Sequence, residues 1–208
     1  MCHHWHDCAH LRKKLVLMTH SHKLDGGLRI LAINASPRGT GRTTVAVLEM
    51  LAGAKLLGAA VEIVDLDSRD HFEPVVALMQ RSDGVVLASP TYRARPPAQL
   101  KAFLDALPRT SDSSGGGSPF AGKAVALLQT GATAHHFLAT EDTRAVLSSF
   151  FAAQVMAPSL YFSHTDYEDA TKLTVAAQEL AQRHGRALAQ FSMALKTCPE
   201  VTSLQPLA

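Results

Sequence analysis

From Leu28 onward, short apolar runs of strand length alternate with longer segments in which apolar residues recur every three or four positions. The short runs are typical of strands buried on both faces, and the longer segments are typical of amphipathic helices. A chain that alternates in this way forms a parallel sheet wrapped by helices. The pattern therefore predicts an α/β fold.

Five strands and five helices are predicted from this alternation. In a sheet of five parallel strands in the order 2-1-3-4-5, the strand order reverses between strands one and three, and ligands bind there beyond the carboxyl ends of the strands. The apolar stripe of the last helix is expected to pack on the sheet, with an oligomer seam as the alternative. The predicted strands cover residues 30–34, 61–66, 84–89, 123–129 and 155–162, and the predicted helices cover residues 43–57, 74–80, 97–107, 138–151 and 170–195.

The composition fits one domain with extensions at both ends. With 208 residues, of which 47% are hydrophobic, the chain can build a core of ordinary size. We expect a disordered leader over residues 1–27, the domain over 28–196 and a tail over 197–208. The leader is rich in histidine, but a metal site there is disfavoured because Cys2 and Cys8 lack the paired spacing of a zinc site. The Ser- and Gly-rich segment 110–119 is predicted to be a mobile surface loop.

Charge and cysteine content limit the partners and the compartment. The formal net charge is +2 and the basic residues are scattered, so a nucleic-acid partner is not expected. No run approaches the roughly 20 apolar residues of a membrane span, and the apolar run after Lys14 is shorter than that of a signal peptide. Three cysteines without a framework spacing favour a reducing compartment. We therefore expect a cytoplasmic protein without a membrane partner.

The segment between the first predicted strand and the following helix is suited to a phosphate group. It is rich in small residues and hydroxyls and leads into a helix N-terminus, where free N–H groups and the helix dipole favour an anion. Hydroxyl groups can donate hydrogen bonds there, and an arginine can donate a charge-assisted one. The alternative is a simple capped helix start, for which Thr43 alone would suffice. The candidate phosphate-binding residues are Ser36, Arg38, Gly41, Arg42, Thr43 and Thr44.

Two other phosphate-binding loops compete with this interpretation. A Walker-type loop needs a lysine before its Ser or Thr, and Arg42 stands there instead, so hydrolysis of nucleoside triphosphates is disfavoured. The dinucleotide fingerprint Gly-x-Gly-x-x-Gly is matched at Gly39 and Gly41 alone, although Asp65 and Asp67 fall near the position of the ribose-binding acid. Against the dinucleotide interpretation stands the proline-rich loop at 89–97, for which a plain dinucleotide-binding fold has no need.

Three segments in register carry a resemblance to a known family. They are Ser-Pro-Arg at 36–38, Ser-Pro-Thr-Tyr at 89–92, which leads into Leu-Lys-x-x-Leu-Asp at 100–105, and Gln-Thr-Gly-Ala-Thr-Ala-His at 129–135. Together they resemble the NAD(P)H-dependent FMN reductase family, and most closely the FMN reductases of sulfonate-utilising two-component systems. The resemblance covers roughly residues 29–195 and implies a flavodoxin-like, three-layer sandwich.

The resemblance implies that FMN and NADPH or NADH bind to this chain. The FMN phosphate would occupy the first loop, the isoalloxazine ring would lie along the loop after strand three, and the loop after strand four would close the pyrimidine end of the ring. Residues implied at the ring and at its pyrimidine end are Pro90, Thr91, Tyr92 and Arg93, and Thr130, Gly131, Ala132 and Thr133, respectively.

The chemistry implied by the resemblance belongs to the cofactors. Hydride transfer from nicotinamide C4 to flavin N5 needs no acid, base or nucleophile from the protein, so no catalytic residue and no metal is assigned. One of Arg93, Arg95 and Arg109 is expected to pair with the 2′-phosphate of NADPH. His135 and His136 are interpreted as loop residues rather than as proton donors.

The sequence leaves the fate of the reduced flavin open. Reduced FMN could pass to a flavin-dependent monooxygenase, or FMN could stay bound while quinones or azo compounds are reduced. The helix at 138–150 lacks the inserted residue that the family associates with flavin as an exchanging substrate. An electron carrier of the flavodoxin type is less favoured, because carriers are usually strongly acidic and this chain has a net charge of +2. A non-catalytic flavin sensor is also less favoured. The resemblance further implies a homodimer or homotetramer.

Overall fold

The computed structural model describes residues 27–37, 39–66, 72–108 and 117–206. A parallel sheet lies at its centre, with strands in the order β2-β1-β3-β4-β5 and with β6 also paired to β4. This arrangement confirms the predicted α/β class and the order 2-1-3-4-5. The expected leader and most of the segment 110–119 lie outside the described residues. The strands of this sheet are β1 (Arg29–Asn34), β2 (Ala60–Asp65), β3 (Gly84–Pro90), β4 (Ala124–Thr130), β5 (Gln154–Val155) and β6 (Leu160–Phe162).

Helices cover both faces of the sheet. Successive residues of β1 face opposite sides, so that Ile30 joins the core beneath the helices at 42–55 and 175–195, and Leu31 joins the core beneath the helices at 73–81, 98–106 and 140–151. In the part of the chain that the structure describes, no helix is long and apolar enough to cross a membrane. The helices are α1 (Arg42–Lys55), α2 (Glu73–Arg81), α3 (Ala98–Ala106), α4 (Thr140–Phe151), α5 (Val175–Leu195) and the short α6 (Pro199–Thr202).

Glycines let α1 and α5 pack with their backbones in contact. A Cβ added to Gly53 would lie 2.0 Å from the carbonyl oxygen of Gln182, and one added to Gly185 would lie 1.8 Å from that of Met50. This contact fixes α1, whose N-terminus lies at the carboxyl edge of the sheet. Small residues make the contact, whereas Leu180 of the predicted apolar stripe is 42% exposed.

The fifth predicted strand, 155–162, is wrong as a single strand. Residues 156–159 separate β5 from β6 and stand opposite two residues of β4, so the strand is interrupted. Pro158 has no N–H group to donate to the sheet. Arg144 of α4 provides hydrogen bonds at the interruption. Its guanidinium donates to the carbonyl oxygens of Val155 and Met156 at 3.2 Å and to Ser159 Oγ at 2.5 Å.

The last helix begins at Val175 and not at residue 170 as predicted. Residues Tyr167–Asp169 and Lys172–Leu173 form the antiparallel hairpin β7–β8. Asp169 closes its turn, since its Oδ1 accepts both the N–H and the hydroxyl of Thr171 at 2.7 Å. The helix after β4 also starts late, because a 3₁₀ helix over Ala134–Ala139 precedes α4.

Candidate functional site

Three loops meet at the carboxyl edge of the sheet. They follow the neighbouring strands β1, β3 and β4 and are here termed the first loop (35–37 and 39–41), the second loop (91–97) and the third loop (131–133). Backbone hydrogen bonds join them to the sheet, since Ala35 N–H donates to Ala88 O and Thr91 N–H donates to Thr130 O, both at 2.7 Å. The structure thus brings together the three segments that the sequence analysis selected.

Asn34, the last residue of β1, organises the first loop. Its buried side chain donates from Nδ2 to Thr44 Oγ1 at 3.0 Å and to Asp65 Oδ1 at 2.6 Å, and its Oδ1 accepts the N–H of Ser36 at 3.3 Å. The sequence analysis missed Asn34, although a polar residue at the end of an apolar strand was a visible signal. Asn34 therefore shapes the first loop. The Thr44 hydroxyl oxygen is already engaged as the acceptor of one Asn34 hydrogen bond.

Asp65, at the end of β2, places a carboxyl group beside the first loop. A Cβ added to Gly39 would lie 3.4 Å from Asp65 Oδ2. Burial raises the pKa of Asp65, and the hydrogen bond from Asn34 lowers it by a smaller amount. The ionised carboxylate is therefore destabilised at a position where it would also repel a bound anion.

The first turn of α1 presents backbone N–H groups to this edge. Gly41 is the N-cap residue, with a φ of 140° that favours glycine, and it has no side chain to cap the helix. Val45 N–H makes the first helical hydrogen bond, to Gly41 O at 3.0 Å, so the N–H groups before it have no partner within the helix. These groups can hold an anion. Arg38, the predicted charged ligand, lies outside the described residues.

Thr43, in the first turn of α1 just after the first loop, contacts Thr130, the last residue of β4 just before the third loop. Their Oγ1 atoms lie 2.7 Å apart, and the two residues are 3% and 5% exposed. One hydroxyl donates to the other, and the accepting hydroxyl keeps its own proton for a further acceptor. Two predicted ligands that adjoin different loops are therefore in contact.

Tyr167, at the start of β7, holds Arg42 at the N-terminus of α1. Its hydroxyl donates to Arg42 O at 2.8 Å, and the centre of its ring lies 5.4 Å from the Arg42 guanidinium carbon. Burial raises the pKa of Tyr167, so the hydroxyl stays protonated and able to donate. The sequence analysis missed Tyr167 because its hairpin is too short to show a period.

The second loop contains a tight turn over residues 92–95. Tyr92 N–H donates to Arg95 O at 2.8 Å, and Arg95 N–H donates to Tyr92 O at 3.0 Å. The residues between them, Arg93 and Ala94, have φ values of 52° and 61°. Two successive residues with positive φ are typical of a type I′ turn, which favours Asn and Gly. The turn is therefore strained, and strain of this kind is concentrated at functional sites.

The predicted arginines of the second loop differ in their surroundings. Arg95 Nη1 lies 3.0 Å from Asp142 Oδ2 on α4. Arg93 is exposed and forms no ion pair with any residue that the structure describes, while Tyr92 beside it is 50% exposed. Arg109 lies outside the described residues. Arg93 is therefore a cation without a counter-ion in the described part of this loop.

One side chain of β6 and one from the segment after it hold the third loop. The Tyr161 hydroxyl donates to Thr133 O at 3.1 Å, and His164 Nδ1 hydrogen-bonds to Ala132 O. A Cβ added to Gly131 would lie 1.9 Å from Tyr161 Oη, so the tyrosine occupies the space that glycine leaves. Neither Tyr161 nor His164 was predicted, because their partners are about 30 positions away in sequence and no local pattern marks such contacts.

A buried hydroxyl without a partner lies at the end of β3. Ser89 is 1% exposed, and its Oγ forms no hydrogen bond with any described residue. Its register partner Gln129 is itself engaged, since Gln129 Oε1 accepts from Thr91 Oγ1 at 3.4 Å. A buried hydroxyl without a partner costs about 1–3 kcal/mol. The Ser89 hydroxyl, which lies at the edge where the three loops meet, therefore lowers the free energy of unfolding.

These features fit an anionic ligand better than a metal ion. In the four described ranges of the chain, no group of three or more His, Cys, Asp or Glu side chains could hold a metal ion. The first turn of α1 offers N–H donors for a phosphate, and the third loop lies at the same edge of the sheet. The residues present therefore fit FMN.

Comparison with known sequences identifies the family. A sequence profile described as NADPH-dependent FMN reductase matches residues 28–167. The chain belongs to the NADPH-dependent FMN reductase family. It is therefore an oxidoreductase of this family, whose cofactors are FMN and NAD(P)H, as the resemblance implied. The narrower likeness to reductases of sulfonate-utilising systems stays a prediction.

Two curated relatives of this reductase carry the same description, FMN reductase (NADPH). The protein from Escherichia coli is 30% identical over 145 residues, which are 62% of this chain and 70% of the relative. The protein from Pseudomonas putida is 29% identical over 131 residues, which are 62% of this chain and 61% of the relative.

Solved structures confirm the flavodoxin-like fold. The apo form of the NADH:FMN oxidoreductase EMOB is 20% identical, with a TM-score of 0.67, and the match covers 85% of this chain and 95% of that one. A WrbA-like flavodoxin from Agrobacterium tumefaciens is 16% identical, with a TM-score of 0.63, and the match covers 81% and 99% of the two chains. These likenesses concern the fold.

Proposed function

We propose that the three loops bind FMN and that the reductase reduces it with NADPH or NADH. The observation that carries this proposal is the contact between Thr43 and Thr130, 2.7 Å between hydroxyl oxygens. It sets the distance between a loop suited to a phosphate and a loop suited to the far end of a ring system. A rigid ligand that spans both loops needs such a fixed distance between its two subsites.

The phosphate group is proposed to bind at the first turn of α1. The N–H groups that follow Gly41 would donate to it, as would the hydroxyls of Ser36 and Thr43. Arg38 would add a charge-assisted hydrogen bond. The contact of Arg42 with Tyr167 keeps a second guanidinium close to the same helix end.

The ring is proposed to lie along the second loop, from Pro90 to Arg93, with residues 130–133 at its pyrimidine end. FMN, when bound, supplies the hydride acceptor for NADPH, so the work of the chain is to orient the two ligands and to stabilise charge. The strained turn after Thr91 holds the Tyr92 and Arg93 backbone in one conformation, which lowers the entropy lost on binding.

We further propose that reduced FMN leaves the site and is supplied to a flavin-dependent monooxygenase. The relatives described as FMN reductases act on FMN. The Asp65 carboxylate beside the phosphate loop weakens the hold on an anion, which favours exchange. The absence of an inserted residue in the sequence at 138–150 favours the second candidate, a bound FMN that reduces quinones or azo compounds.

Titration of the flavin-stripped protein with FMN and with riboflavin tests the site. Riboflavin is the matched control, because it has the ring but no phosphate. FMN should bind to the native protein at least tenfold more tightly than riboflavin. Arg38→Ala should weaken FMN binding about 10- to 150-fold, which corresponds to about 1.5–3 kcal/mol for a charged hydrogen bond. Riboflavin affinity should stay unchanged in this variant. Equal affinity of the native protein for FMN and riboflavin would contradict the phosphate site.

A further inference from the structure

The third loop is held so that its peptide groups have a fixed direction. In a planar trans peptide, the carbonyl of one residue and the N–H of the next point to opposite sides. The first peptide of the segment shows this, because Thr130 O accepts from Thr91 N–H at 2.7 Å while Gly131 N–H donates to Phe162 O at 2.9 Å. A contact to a carbonyl oxygen therefore also sets the direction of the following N–H group.

Two side chains hold the next two carbonyls in the same way. His164 Nδ1 hydrogen-bonds to Ala132 O, which turns the Thr133 N–H away from the imidazole ring. The Tyr161 hydroxyl donates to Thr133 O at 3.1 Å, which turns the Ala134 N–H away from the phenol ring. Neither of these N–H groups donates to any residue that the structure describes.

We propose that His164 and Tyr161 are positioning residues that aim the N–H groups of Thr133 and Ala134 at the pyrimidine end of FMN. This inference rests on the proposed FMN site. Negative charge gathers at that end when the flavin is reduced, and donors that are already aligned stabilise such charge without reorganisation. The two side chains thereby favour reduced FMN over oxidised FMN without touching either.

Gly131 makes the position of Tyr161 possible. A Cβ at residue 131 would lie 1.9 Å from Tyr161 Oη and 2.9 Å from the ring carbon that carries it. Any larger residue would displace the phenol and release Thr133 O. Tyr161→Phe and Gly131→Ala are therefore both expected to remove the hydrogen bond to Thr133 O and to weaken reduced FMN more than oxidised FMN.

The test measures the affinity of purified, flavin-stripped variants for FMN and for reduced FMN under anaerobic conditions. His164→Ala should weaken reduced FMN about fivefold and oxidised FMN by less, because one aligning hydrogen bond is lost. His164→Asn should restore much of the affinity, since its amide can donate from near the Nδ1 position. His184→Ala is the matched control, because His184 Nδ1 also contacts a backbone carbonyl, Leu180 O at 3.0 Å, but lies on α5.

The ratio of the two affinities separates positioning from a loss of structure. A merely structural role would weaken oxidised and reduced FMN equally, and this result would overturn the inference, as would a His164→Ala variant that matches His184→Ala. A larger loss for reduced FMN, with recovery in His164→Asn, would support it. If native protein bound no FMN, the proposed function would fall and this inference with it, whereas normal native binding with unchanged variants would overturn this inference alone.

Discussion

The hydroxyl oxygens of Thr43 and Thr130 lie 2.7 Å apart, although 87 positions separate the two residues in the chain. Thr43 stands in the first turn of α1, and Thr130 is the last residue of β4. Their contact ties the loop suited to a phosphate to the loop suited to the pyrimidine end of a flavin. The relative position of the two proposed subsites is therefore set by buried side chains of the fold.

Removing the hydroxyl of Thr43 or of Thr130 should lower the free energy of unfolding. Removing both hydroxyls should lower it by less than the sum of the two single losses. Thr43→Val or Thr130→Val leaves its partner buried without a hydrogen bond, which costs about 1–3 kcal/mol. In the double variant no hydroxyl is left unpaired. Urea unfolding of the four proteins measures this coupling, and a parallel FMN titration should show that each single variant binds FMN more weakly. Strictly additive losses would show that the two hydroxyls do not act as a pair.

Arg93 and Arg95 should differ in their effect on nicotinamide specificity. Arg95 forms an ion pair with Asp142, with 3.0 Å between Nη1 and Oδ2, whereas Arg93 forms no ion pair with any described residue. Arg93→Ala should raise the KM for NADPH about tenfold, as expected for the loss of a charged hydrogen bond, and should leave the KM for NADH unchanged. Arg95→Ala, the matched control, should change either KM less. A preference for NADPH over NADH that survives Arg93→Ala would exclude this residue as the partner of the 2′-phosphate.

The sheet and the three loops could be predicted because their signals are local. Strands such as β3 and β4 are buried on both faces and therefore read as continuous apolar runs, and the loops follow directly from where those runs end. Pro90 and Gly131 lie at the ends of β3 and β4. They could be selected from the sequence because proline and glycine mark the ends of such apolar runs.

The contacts that shape the site were not predictable, because they join distant positions. Tyr167 reaches Arg42, and His164 reaches the backbone of Ala132, and neither pair leaves a periodic pattern. At the interruption of the fifth strand, Arg144 donates from another element to the carbonyl oxygens of Val155 and Met156. In each case the tertiary contact decides the local structure.

Asp65 should make stability depend on pH in a defined direction. Burial raises its pKa in the folded state above 3.8, so the folded state binds the proton more tightly than the unfolded state. The contribution of the protonated Asp65 to the free energy of unfolding is complete below pH 3.8. It is lost as the pH rises through the pKa of the folded state. Asp65→Asn should therefore have the higher free energy of unfolding at pH 7, and this advantage should shrink as the pH falls toward 3.8. Urea unfolding at both pH values checks this, and an advantage that grows on acidification would contradict it.

Ser89→Ala should stabilise the protein. The substitution removes a buried hydroxyl that has no partner among the described residues, so we expect a gain of about 1 kcal/mol in the free energy of unfolding. Ser192→Ala is the matched control, because Ser192 is equally buried but its Oγ donates to Leu188 O at 2.8 Å. No gain is expected there. A loss of stability in Ser89→Ala would show that this hydroxyl has a partner in solution.

The most direct test of the FMN reductase function is NADPH oxidation by the purified, flavin-stripped protein as FMN is added stepwise, with NADH in a parallel series. We predict no oxidation without FMN and a rate that rises with FMN and then saturates. The FMN concentration at half-saturation then indicates whether flavin exchanges or stays bound. Binding of FMN without consumption of NADPH or NADH would contradict the reductase function and leave an electron carrier or a flavin sensor in its place.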